Sequence, residues 1–96
     1  EPDEAFINES NRTVYIIEKK FQSKSGSVDE KLATFPFKIY EYQKLLDPIE
    51  YDIVYIYLLS SEWFDSPKYK DYYDYMNDLG CPYYFDRLPL EAIGIY

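Results

Sequence analysis

Ile53-Val54-Tyr55-Ile56-Tyr57-Leu58-Leu59 is the stretch that most limits how this chain can fold. Seven consecutive apolar or aromatic residues, five of them β-branched or aromatic, suit a strand inside a sheet with both faces covered. A strand of that kind requires neighbours in the sheet and further elements above and below it. The chain supplies them from 96 residues, of which 47% are hydrophobic and 21% aromatic, with 13 Tyr. That composition belongs to folded proteins, and the length suits one domain that buries roughly 60–70% of the surface its unfolded chain exposes. A single α/β domain with a mixed sheet is therefore expected over residues 1–96.

The second strand is Thr13 to Gln22, TVYIIEKKFQ, whose first half is β-prone and whose second half is polar. Side chains alternate along a strand, so Val14, Ile16, Glu18, Lys20 and Gln22 share one face, and Tyr15, Ile17, Lys19 and Phe21 the other. Glu18 and Lys20 then stand about 7 Å apart at the polar end of one line. Glu1 to Ile7 reads as the first arm of a hairpin, with Asn8 to Arg12 as its turn. Antiparallel pairing would bring Asp3 beside Glu18 and Lys20.

The rest of the chain alternates helix and strand. Ser27-Val28-Asp29-Glu30 has the form of a capping box, and the turn it opens runs on to Thr34, where Pro36 disfavours helix at Phe35. Beyond it lies a kink or a second helix over Phe37 to Leu46, with Ile39, Tyr42, Leu45 and Leu46 inward. Ser60 to Asp65 is expected as a loop. Ser66-Pro67 starts a helix, Gly80 stops it, and Tyr69, Tyr72, Tyr73, Met76 and Leu79 fall on one side. Tyr83-Tyr84-Phe85 returns as a strand parallel to Ile53–Leu59, and Leu88 to Gly94 closes with a short helical turn.

Chemistry is bounded by what is missing. The chain has one cysteine, Cys81, and no histidine. Disulfides, Cys/His zinc sites and histidine catalysis are excluded, which leaves carboxylates, lysines, tyrosines or a hard metal ion. No apolar run nears a membrane span and no signal peptide opens the chain, so a soluble, intracellular protein is expected. The net charge of −8 opposes a broad basic surface for nucleic acid. The chain opens at Glu1 without Met, which fits the expectation that it is the C-terminal part of a longer protein.

Pro2-Asp3, fourteen intervening residues and then Glu18-Lys19-Lys20 resemble the PD-(D/E)xK nuclease motif. The run Glu18 to Leu32 (EKKFQSKSGSVDEKL) further resembles a segment of Type II restriction endonucleases, and the likeness extends more loosely through Leu79-Gly80-Cys81 and Leu88-Pro89-Leu90. The resemblance implies a restriction-endonuclease-like core, a mixed β-sheet flanked by helices, acting on double-stranded DNA in the cytoplasm of a prokaryotic cell as a homodimer. It implies Mg²⁺, with Mn²⁺ as substitute, held by Asp3, Glu18 and the backbone carbonyl of Lys19, with Lys20 serving the attacking water.

Physical chemistry supports those roles independently. Phosphodiester hydrolysis needs a hard cation, which one or two carboxylates can hold, and an ammonium can orient the water and steady the phosphate. Gln22 is a candidate for water or phosphate contact. Lys24, Lys31, Lys38 and Lys44 are candidates for a strip along the DNA backbone. The bland alternative is a hairpin with an exposed surface ion pair. Two rival functions are a repair or junction-resolving nuclease with the same residues, and a non-enzymatic acidic interaction protein that mimics DNA.

Overall fold

The computed structural model describes residues 4–21 and 32–96. These form a four-stranded mixed sheet in the spatial order β1-β2-β3-β4. Strands β1 (Glu4–Asn8) and β2 (Thr13–Lys20) make the expected antiparallel hairpin, in which Glu4 pairs with Ile17 and Asn8 with Thr13. Strand β3 (Asp52–Leu59) lies parallel to β2, with Glu18 opposite Tyr57 and Lys20 opposite Leu59. Strand β4 (Tyr83–Phe85) lies parallel to β3, as its sequence suggests. The carboxyl ends of β2, β3 and β4 therefore share one edge of the sheet, where open α/β sheets place their ligand sites.

Both faces are covered, as the apolar run of β3 requires. On one face Val14, Ile16, Tyr55, Tyr57 and Leu59 meet Leu32, Phe35, Phe64, Tyr69, Met76 and Cys81. On the other, Tyr15, Ile17, Ile56 and Leu58 meet Ile93, with Phe6, Val54, Tyr84, Leu88 and Ala92 around them. The alternation of Tyr55 and Tyr57 with Ile56 and Leu58 sorts β3 between the two cores. Each of these buried aliphatic or aromatic side chains is worth roughly 1.5–3 kcal/mol of apolar burial.

Helix α1 (Phe35–Leu46) lies on the first face. It starts two residues earlier than the proline rule suggests, because Pro36 occupies its first turn, where a missing N–H costs nothing. Phe35 is thereby buried edge-on against Tyr57, at 6.2 Å between ring centroids. Ile39, Tyr42 and Leu46 pack inward, but Leu45 is 73% exposed, contrary to the expected buried side. The helix continues as a 3₁₀ turn, Asp47–Ile49.

Ser61–Phe64, expected as loop, is a short helix α2 that delivers Phe64 to the core. Ser66 accepts a hydrogen bond from the Lys68 N–H and caps a 3₁₀ turn, Pro67–Tyr69, which runs into α3 (Lys70–Asp78). Of the expected stripe, Tyr69 and Met76 are buried and Tyr72 and Tyr73 half-buried, whereas Leu79 is 51% exposed just beyond the helix. Gly80 adopts φ +75°, the left-handed stop. The closing 3₁₀ turn, Leu90–Ile93, covers the second face.

Cys81 is buried against the β3 backbone, with its Sγ donating to the Tyr55 carbonyl at 3.3 Å. Burial, and then the nearby Glu18 charge, push its thiol up from the ordinary 9.0 to about 12. At pH 8 this lowers the thiolate fraction roughly a thousandfold. A disulfide reagent should therefore label the native protein far more slowly than the urea-unfolded chain. Comparable rates would show that Cys81 is open to solvent.

Candidate functional site

The site is built at the carboxyl end of β2. Glu18 faces the first core with Val14 and Ile16, as strand alternation requires, yet its side chain is only 8% exposed. A carboxylate so placed needs charge and hydrogen-bond partners. It has three. Lys20 Nζ lies 2.8 Å from Oε2, Lys38 Nζ lies 3.1 Å from Oε1, and the Tyr55 hydroxyl donates to Oε1. Lys20 comes from the same strand two residues on, Tyr55 from the adjacent β3, and Lys38 from α1. One carboxylate thus ties together three elements of the fold.

Burial alone pushes the Glu18 carboxyl up. The hydrogen bonds from Lys20, Tyr55 and Lys38, together with the Lys20 charge, outweigh it and hold the group below its ordinary 4.5. Glu18 is therefore ionised at neutral pH, the state in which a carboxylate ligates a cation. Tyr55 is itself 1% exposed and braced by ring contacts to Tyr57 at 5.7 Å and Tyr42 at 6.3 Å. Its hydroxyl is a fixed donor, and the carboxylate is fixed with it.

Lys19, on the opposite face, pairs with Glu4 at 2.8 Å in an exposed bridge. The Lys20 carbonyl accepts from the Ser60 N–H on the β3 side. Carbonyls alternate between a strand's two neighbours, so that of Lys19 is directed to the β1 side. Asp3, Gln22, Lys24 and Lys31 lie outside the described residues. The described ladder ends at the Glu4–Ile17 pair, one residue short of Asp3 in the chain.

Glu18 is an ionised oxygen donor of the kind a magnesium-type ion takes, and in this structure both of its oxygens are engaged by Lys20, Lys38 and Tyr55. Among the described residues, no three of His, Cys, Asp and Glu gather around one point. Asp3, which the resemblance gives as the second acidic ligand, lies beyond them.

Two members of the site escaped the motif. Lys38, which the sequence offers as part of a DNA backbone strip, sits on Glu18, and Tyr55, a residue of the buried strand, donates to the same carboxylate. A signal for Tyr55 exists in the sequence, because a tyrosine in a strand covered on both faces must find a partner for its hydroxyl. Lys44, by contrast, lies over the Tyr40 ring at 5.6 Å. No described helix is long and apolar enough to cross a membrane. Comparison with family models, with curated proteins and with solved structures finds no match.

Proposed function

We propose that the chain is the catalytic part of a metal-dependent endonuclease acting on double-stranded DNA, of the Type II restriction kind. The observation that carries the reading is the ionised, buried Glu18 with Lys20 on the same face of β2, at the edge where three parallel strands end. A structural ion pair needs no such address. On this reading the mixed sheet is a restriction-endonuclease-like core, and Glu18, Asp3 and the Lys19 carbonyl would hold Mg²⁺ or Mn²⁺. The cation, when bound, neutralises charge on the scissile phosphate and acidifies a water.

The chain's own residues do the rest. Tyr55 fixes the carboxylate through Oε1, so that Glu18 does not have to be ordered when substrate arrives. Lys20, only 18% exposed at its side chain, holds its ammonium at a defined place beside Oε2. From there it orients the attacking water and steadies the phosphate's negative charge. Cutting both strands of a duplex calls for two such sites, hence a homodimer.

The test is digestion of duplex DNA in Mg²⁺ by wild type, Glu18→Gln, Lys20→Ala and Asp3→Ala, with circular dichroism to check folding. Loss of cleavage by about a hundredfold or more in each folded variant is expected. Undiminished cleavage in Glu18→Gln and Lys20→Ala would falsify the assignment.

A second reading, an acidic interaction protein that mimics DNA, is favoured by the −8 charge and by the exposed Asp71, Asp74 and Asp78 on and beside one stretch of α3. A calorimetric titration with Mn²⁺ separates the two. The mimic has no use for a cation at Glu18, and the nuclease does.

A further inference from the structure

Helix α1 has apolar side chains on two sides, and the sheet uses only one of them. Ile39, Tyr42 and Leu46 pack inward, whereas Phe37, Tyr40 and Leu45 are 64%, 59% and 73% exposed. These three recur at helical spacing on the outward arc, with Glu41 and Lys44 between them. The rings of Phe37 and Tyr40 stack at 6.4 Å, Lys44 lies over Tyr40, and all five residues line one open hollow of about 760 Å³. Ile49, also more than half exposed, stands just past the helix. A helix face turned to water ordinarily carries charged and polar residues. Here the four large side chains leave on the order of 400 Å² open in each copy, a patch of the size that marks contact surfaces. Residues 22–31, outside the described part, bring a single apolar side chain, Val28, with which to cover it.

We propose that this face of α1 pairs with the same face of a second copy, the two helices running antiparallel about a two-fold axis. The order of the charges selects that arrangement. Antiparallel packing centred between Tyr42 and Gln43 sets Glu41 opposite the partner's Lys44 and, by symmetry, Lys44 opposite the partner's Glu41. It also brings Phe37 onto the partner's Pro48 at each end. A parallel pair would set each charge against its own kind. Two such patches, with the charged stems between them, bury about 1,000 Å² in all, at the low end for a specific interface, so the dimer is weak and reversible. The charge of −8 on each copy opposes association at long range. At about 0.15 M salt the Debye length is about 8 Å, and contact pairs decide. The inference stands on the helix face and not on the nuclease reading, although it gives the two copies which that reading requires a surface to meet on.

Sedimentation velocity without DNA or metal, from about 1 to 500 μM chain, tests it. Wild type should pass from monomer to dimer with a dissociation constant of about 10–100 μM. Phe37→Ser, and separately Leu45→Ser, should weaken the dimer about tenfold or more, because each change removes an apolar contact twice over. Glu41→Lys and Lys44→Glu should each be monomeric at about 100 μM, since either change sets like charges together on both sides of the axis. An equimolar mixture of those two variants should dimerise at least as well as wild type, because opposite charges then face each other again. Circular dichroism checks that every variant is folded. A wild type that stays monomeric at about 500 μM overturns the proposal. So does a dimer that Phe37→Ser and Lys44→Glu leave intact, or a mixture of the two charge variants that remains monomeric. Digestion of duplex DNA by Glu18→Gln reads the nuclease separately, so the two failures are told apart.

Discussion

Replacing Lys20 and Lys38 together by Met should cost about 3–5 kcal/mol of folding stability at pH 7, because the double change leaves the Glu18 carboxylate buried with only the Tyr55 hydroxyl as partner. Urea unfolding measures it. Adding Glu18→Gln to the double variant should recover most of the loss, since an amide in that place carries no charge to desolvate. The pH dependence provides an independent check, because its sign reverses. In the wild type the carboxyl is held below its ordinary 4.5, so the unfolded chain binds the extra proton first. Stability from this group is complete above about pH 4.5 and is lost as pH falls through the lower folded value. In the double variant burial is left to dominate and the folded value rises above 4.5. Stability is then greatest below that pH and declines as pH rises through the folded value. A double variant with wild-type stability at pH 7, or with the wild-type direction of pH dependence, would show that the two lysines are surface decoration.

How much of this was legible in the chain varies with the range of the forces involved. The faces of β2 follow from a period of two, and a polar half succeeding an apolar half already marks where the strand leaves the core. The parallel return of Tyr83–Phe85 follows from the helix between it and β3. Helix limits were harder. Leu45 lies about 90° around α1 from the inward line of Ile39, Tyr42 and Leu46, and Leu79 lies just past the end of α3, so neither is buried. A following proline disfavours helix at Phe35, yet a proline in the first turn is compatible with helix, and Phe35 is completely buried.

The site divides in the same way. Glu18 and Lys20 are two residues apart, so strand geometry alone brings them together. Lys38 and Tyr55 are 20 and 37 positions from Glu18, and only the docking of α1 and the register of β3 bring them to it. Nothing local marks Lys38, and Tyr55 is marked only by the need of a buried hydroxyl for a partner. What the chain did contain was the demand: an acidic residue on the inward line of β2, continuous with Val14 and Ile16, had to be compensated from elsewhere. The bland alternative of an exposed surface ion pair thus differs from the fold, which has a buried, three-partner carboxylate.

The second large effect is expected at Gly94. The residue adopts φ +80°, and a β-carbon there would stand 2.6 Å from Asn8 Nδ2, 2.7 Å from Asn11 Nδ2 and 2.9 Å from the Tyr15 hydroxyl. Those atoms are committed. Asn8 donates to the Ile93 and Gly94 carbonyls at 3.0 and 3.3 Å, and Asn11 donates to Tyr15 at 2.9 Å. They join the β1–β2 turn to the closing 3₁₀ turn and seal the second core. Gly94→Ala must therefore meet the left-handed backbone penalty of about 1–2 kcal/mol and break or bend at least one buried hydrogen bond, at about 1–3 kcal/mol. A loss of about 3 kcal/mol is expected by urea denaturation. Gly94→Asn separates the causes, because asparagine tolerates the left-handed region but carries the same β-carbon. If close approach dominates, Gly94→Asn should lose nearly as much as Gly94→Ala. An asparagine variant within about 0.5 kcal/mol of wild type would mean that the two turns are not packed against each other at this point. The Asn8→Ala change, which removes the donor to the Ile93 and Gly94 carbonyls without adding bulk, should cost less than Gly94→Ala.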